Sequence, residues 1–182
     1  SGDTEINLKG DNTLDSRGAR YFNEDGEMTG NGRAGLEKAL TIDTDGTKTN
    51  DGGKLIITAA DNKQSLTALG GGWAAGIGGR SYGVPYSKAE ITGIEINGGT
   101  IVAQGGRSGA GIGGGSWTIG KVTINGGDIT AIGGVDGGAG IGGGKSGAGF
   151  VTINEGTIHA TGGNGEGCGV GSGKWGRNSN IN

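Results

Sequence analysis

Lys121-Val-Thr-Ile-Asn-Gly-Gly-Asp-Ile-Thr-Ala-Ile132, followed shortly by Ala139-Gly-Ile-Gly-Gly143, is the stretch that decides the fold. Val122/Ile124, Ile129/Ala131 and Ala139/Ile141 alternate with their neighbours, while Thr123, Thr130 and Lys121 fall on the opposite side. Alternation with period two marks strands that bury one face. The spacing therefore predicts three short strands, over residues 121–125, 128–132 and 138–142, with Gly-rich turns between them. Working outward, both words recur. Ala75-Gly-Ile-Gly-Gly79, Ala110-Gly-Ile-Gly-Gly114 and Cys168-Gly-Val-Gly-Ser172 repeat the second. Ile96-Asn97, Ile153-Asn154 and Ile181-Asn182 repeat the Ile-Asn pair, the four asparagines standing 28, 29 and 28 residues apart. A fixed period of this length means one unit stacked on copies of itself.

Three short strands per period cannot each bury an apolar face alone. A chain wound into coils can bury all three against one narrow core, with neighbouring strands ~4.8 Å apart. The expected fold is therefore all-β: a right-handed parallel β-helix, a single-stranded solenoid of about 29 residues per coil, with the hand taken from parallel crossovers generally. All 182 residues are read as one β-helix domain. Residues 66–182 are the regular Gly-rich coils. Residues 1–65 hold 12 of the 18 acidic residues and only 10 of the 49 glycines. There Ile6-Asn7, Ala34-Gly-Leu36 and Leu55-Ile-Ile-Thr58 are degenerate copies, read as atypical N-terminal coils with long turns near 21–31 and 43–53. End coils are usually atypical because one face meets water. Ser1-Gly2 has the look of a vector-derived pair, and the repeat stops in mid-strand at Asn182, so a piece of a longer protein is expected.

Composition removes several classes. Collagen needs Gly at every third position and much Pro, whereas this chain has one Pro. Disordered Gly-rich linkers do not hold Ile, Val and Ala in register. A net charge of −3 argues against a nucleic-acid partner. A single Cys excludes an internal disulfide framework. No apolar run approaches the ~20 residues of a membrane span, so no membrane insertion is expected.

Few residues suggest chemistry. His159 falls on the outward side of the second strand, in the column of Thr67, Val102 and Thr130. Cys168 replaces Ala in the inward column of Ala75, Ala110 and Ala139, where a small buried thiol is expected. The Asn97, Asn125, Asn154 and Asn182 column is read as an internal amide ladder at one corner. Polysaccharide-cleaving β-helices need clustered carboxylates, but Glu90, Glu95, Asp128, Asp136, Glu155 and Glu166 are scattered over different columns. No enzyme, no catalytic residue and no obligatory cofactor is expected. Asp43, Asp45 and Asp51 are the candidate metal ligands, a faint calcium loop that lacks a terminal bidentate Glu.

The most suggestive surface feature comes from counting five residues past the inward Ile or Val of each third strand. The positions are Tyr82, Trp117, Ser146 and Trp175, with Arg80, Lys145, Lys174 and Arg177 nearby and Trp73 and Tyr86 on neighbouring turns. Rigid aromatics flanked by Arg and Lys suit sugar stacking and protein hot spots alike. Tyr82, Trp117, Trp175, Arg80, Lys174 and Arg177 are therefore the candidate ligand-binding residues.

Residues 123–134 and 138–144 resemble the Gly-rich repeats of large cell-surface proteins of gut Firmicutes, and residues 54–79 resemble the lead-in region of those arrays. The resemblance implies an extracellular module of a multidomain surface protein, wall-attached or secreted, beside neighbouring domains. Relatives by architecture include pectin-binding β-helices and adhesins, and some gut commensals of this group display superantigens that bind immunoglobulin variable regions. No motif carries over residue by residue to those sites. The resulting expectation is a non-enzymatic adhesin-type binder of a host protein, immunoglobulin among them. The alternatives are a polyuronate-binding carbohydrate module, with calcium near the acidic turns, and a structural stalk.

Overall fold

The computed structural model describes residues 3–17, 32–38, 41–42, 48–49, 53–81, 90–177 and 179–182. The first coil contributes β1 (Thr4–Asn7), β2 (Asp11–Asp15) and β3 (Leu36–Glu37). A small antiparallel hairpin follows, β4 (Thr41–Ile42) and β5 (Lys48–Thr49). The second coil is β6 (Leu55–Thr58), β7 (Ser65–Leu69) and β8 (Ile77–Gly78), and the third is β9 (Glu90–Gln104) and β10 (Ile112–Gly113). The fourth is β11 (Ile119–Ile132) and β12 (Ile141–Gly142). The fifth is β13 (Gly149–Ile153), β14 (Thr157–Thr161) and β15 (Val170–Gly171), with β16 (Asn180–Ile181) opening another.

Every pairing between coils is parallel. Among the described residues, one sheet of nine strands wraps two faces, and a sheet of five strands ordered β15-β12-β10-β8-β3 forms the third. The chain is a parallel β-helix. Its degenerate N-terminal words stack as expected, with Ile6 opposite Ile57, Leu55 opposite Ile94 and Leu36 opposite Ile77. The core is the set of columns read from alternation: Val122, Ile124, Ile129, Ala131, Ala139 and Ile141 are all buried. Outside, Thr67, Val102, Thr130 and His159 share one rank.

The structure departs from the sequence reading in five places. First, the first and second strands of coils three and four run together as β9 and β11, with irregularities near Gly126. The Asn-Gly-Gly corner stays paired to its neighbour there. In coil five, where Glu155 replaces the first Gly, the strands separate.

Second, the third strand is only two residues long. Each Ala-Gly-Ile-Gly-Gly word is an arch closed on itself. The N–H of Ala75, Ala110, Ala139 and Cys168 donates to the carbonyl of Gly79, Gly114, Gly143 and Ser172, at 2.8, 2.9, 3.0 and 3.0 Å. The fourth residue of the arch needs φ near +130°, as at Gly113 and Gly142, both +129°. A Cβ at either would meet the carbonyl oxygen of the next coil at 2.1 or 2.0 Å, so only glycine closes the arch.

Third, the Asn ladder exists but stands on the exposed corner. The Asn125 amide donates to Asn97 Oδ1 at 2.8 Å, and the Asn154 amide to Asn125 Oδ1 at 2.6 Å. The two inward positions before each Asn already fill the narrow core, so the amide alternates outward. Fourth, Asn182 is not in that column. Ile181 pairs with Val151, and Asn182 bonds around Ile153, placing it opposite Thr152. The turn from Trp175 to Ile181 spans one residue more than that from Ser146 to Val151, and the inward Ile settles on the nearer inward site. Fifth, Cys168 is exposed although its column is the predicted one. No complete coil stacks on the fifth in this chain, so that column is open there. Among the described residues no helix is long and apolar enough to cross a membrane.

Candidate binding surface

Two columns of tight turns flank the arches. The turn leaving each arch spans residues 115–118, 144–147 and 173–176, closed by bonds from Thr118, Gly147 and Gly176 back to Gly115, Gly144 and Gly173. The turn entering each arch spans 71–74 in coil two and 106–109 in coil three, with Gly134–Gly138 in coil four. The columns are stitched together one coil out of step. Ser116, Lys145 and Lys174 N–H donate to the carbonyls of Trp73, Ser108 and Gly137, at 2.7, 2.9 and 2.7 Å. The turns thus form one ridge running along the axis.

Three positions of the expected column align in successive exit turns. Trp117, Ser146 and Trp175 occupy the third position of successive exit turns, with φ of 65°, 62° and 64°. This is the left-handed position of a type II turn, where glycine or asparagine is usual and a bulky residue is an outlier. It aims the side chain away from the core: Trp175 is 67% exposed and Trp117 37%.

Trp175 sits in a cage of cations. Lys174 Nζ lies 4.6 Å and Lys145 Nζ 4.9 Å from its ring centroid. Each ammonium is also matched by a carboxylate: Lys174 pairs with Glu166 through Nζ and Oε2 at 2.6 Å, and Lys145 with Asp136 at 2.8 Å. The Lys145 ammonium, helped by the Ser108 hydroxyl, holds the Asp136 carboxyl below its ordinary range against the opposing effect of desolvation.

Other predicted ligand residues separate along the axis. Arg177 is exposed two residues past Trp175. Arg80 lies in the second coil, its backbone beneath Gly115, and approaches Glu37 at 3.8 Å. It is therefore a neighbour of the Trp117 turn and three coils away from Trp175. Tyr82 and Tyr86 lie outside the described residues, as do Asp43, Asp45 and Asp51. Among the described residues no group of three His, Cys, Asp or Glu side chains could hold a metal ion. Lys145, named beside the aromatic column but not among the candidate ligand residues, joins the cluster together with Asp136 and Glu166. The carboxylates could not be found from that column, because they come from the entry turns.

A family model described as a beta helix repeat matches residues 94–116, 122–145 and 151–174. Each match begins on an inward residue of a first strand (Ile94, Val122 or Val151) and ends on the second residue of an exit turn. The repeats are thus in phase with the coils. No curated protein and no solved structure matches the chain.

Proposed function

We propose that this β-helix repeat domain is a non-enzymatic, extracellular binding module of a bacterial surface protein, and that it holds a host protein through the exit-turn ridge centred on Trp175. One observation carries the reading: a tryptophan 67% exposed, standing at φ +64° where glycine would be unstrained. A bulky residue in that conformation costs roughly 1–3 kcal/mol, and such strain concentrates at functional sites. A plain stalk has no need of it.

The surroundings fit a protein hot spot better than a sugar platform. A large aromatic ringed by charged side chains is the usual anatomy of a protein interface anchor. Both lysines over the ring are already paired with Asp136 and Glu166, so neither is free to take a carboxylate of a polyuronate stacked on the ring. Of the carboxylates in the regular coils, Glu95, Asp136 and Glu166 are each held by a lysine, and the others stand in different columns, which favours a binder without catalysis.

The test is capture of serum proteins, immunoglobulin first, by the immobilised chain beside a glycan array, each with and without EDTA. Protein capture that ignores chelator and falls at least about tenfold in Trp175→Ala is the expected result. Glycan binding lost with EDTA, or capture indifferent to Trp175→Ala, would overturn the reading.

A further inference from the structure

Along the entry-turn flank of the ridge runs a groove of about 260 Å³, lined by the first residues of successive entry turns and the strand ends before them. It spans four coils: Arg17 borders it in the first, Gly72 in the second, Gln104 and Arg107 in the third, and Val135 in the fourth. At ~4.8 Å per coil it is roughly 14 Å long. Much of its floor is glycine backbone, and no aromatic ring borders it.

Three features set its chemistry. The backbone N–H groups of Gly72, Arg107 and Val135, one per coil, donate no hydrogen bond among the described residues. They stand one per coil along the groove, separate donors for acceptor oxygens spaced along an extended chain. The guanidinium of Arg107 is exposed and makes no direct hydrogen bond or ion pair among the described residues, although its charge acts on the Asp136 carboxylate that Lys145 holds. Arg17, by contrast, is committed to Asp15 through two short bonds, Nε to Oδ1 at 3.0 Å and Nη2 to Oδ2 at 2.7 Å. Third, Val135 is 59% exposed at the end of the groove.

We propose that this groove is a docking site for an extended acidic segment of a protein partner, with Arg107 as the residue that binds its carboxylate. A guanidinium offers two parallel N–H donors to a carboxylate, a geometry that an ammonium lacks. The row of free N–H groups takes the acceptor oxygens of the same segment, and Val135 takes an apolar side chain. A sugar chain finds no ring to stack on in this groove. The site uses side chains other than Trp175 and its two lysines, and is linked to them only through the charge of Arg107 on Asp136, so the two readings are tested separately.

The experiment is fluorescence anisotropy of a fluorescein-labelled oligoglutamate peptide titrated with the intact chain. Saturable binding is expected, weakening as salt screens the charges. Arg107→Ala should weaken it about tenfold, as loss of a charge-assisted bidentate contact does, and Arg107→Lys should recover only part. Lys121→Ala, an exposed cation elsewhere, should leave it unchanged. Absence of saturable binding, an equal loss in Lys121→Ala, no loss in Arg107→Ala, or tighter binding of oligogalacturonate than of oligoglutamate each overturns the proposal. Serum-protein capture by Trp175→Ala reports the aromatic turn separately, so either site can fail while the other stands.

Discussion

Ser146 occupies the same left-handed turn position as Trp117 and Trp175, yet its hydroxyl is buried with no hydrogen-bond partner. It bears the conformational penalty without presenting a ring. Ser146→Gly should remove about 1–2 kcal/mol of left-handed strain and an orphaned hydroxyl, offset by about 0.5–1 kcal/mol of chain entropy. A net gain near 1 kcal/mol would raise the thermal midpoint by roughly 2–4 °C, followed by circular dichroism; a lower midpoint would refute the strain argument. Asp136 makes a second prediction. Its carboxyl titrates below the usual 3.8 in the folded chain because Lys145 bonds the charged form. The contribution is therefore complete at neutral pH, begins to fall as pH enters the ordinary carboxylate range of the unfolded chain, and is gone once pH has fallen through the lowered folded value. The pair is partly exposed, so it is worth ~0.2–1 kcal/mol. Trp175 fluorescence should shift in that acid window as Lys145 is released, and Asp136→Asn should abolish the step. The aromatic column was legible in the sequence because it rides on the repeat count. The carboxylates that neutralise its lysines were not, since they arrive from the other turn column, across the arch of the same coil.

The arch is the element that sets this fold apart, and glycine decides it. Gly142→Ala should be severely destabilising, because φ of +129° and a carbonyl oxygen 2.0 Å from the new Cβ leave nothing to relax. Gly126→Ala should be nearly neutral, since the closest atom lies 3.8 Å away. Urea unfolding of the two variants side by side checks the contrast, and similar midpoints would mean that the arch is not closed as described. Much of this was readable in advance. Alternation placed Val122, Ile124, Ile129, Ala131, Ala139 and Ile141 inward, and each is buried. Alternation could not show that the third strand shrinks to Ile141–Gly142, because that comes from a bond within the word, from Ala139 to Gly143. Nor could periodicity say which side the asparagines face, since a corner residue follows the turn and not the pleat. Asn182 shows the same limit. Counting put it in the Asn column, but strand pairing follows the inward Ile181 opposite Val151.

At the scale of the whole molecule the fold class follows from the repeat alone, because each coil is stabilised chiefly by its neighbours. Cys168 shows where that logic weakens: its column is correct, but burial depends on a next coil as well as on a position. The staggered stitching of the two turn columns has a mechanical consequence. Bonds such as Lys145 N–H to Ser108 O and Lys174 N–H to Gly137 O tie each exit turn to the coil before it. A pull on the chain ends loads these ties in sequence, and a coil cannot slide without breaking its own. Force spectroscopy of the chain between two handles should therefore give a sawtooth with steps of about 100 Å, one 29-residue coil at roughly 3.4 Å per residue. A single cooperative rip would contradict it. A solenoid that gives way one coil at a time acts as a shock absorber, lengthening under load while its remaining coils stay folded.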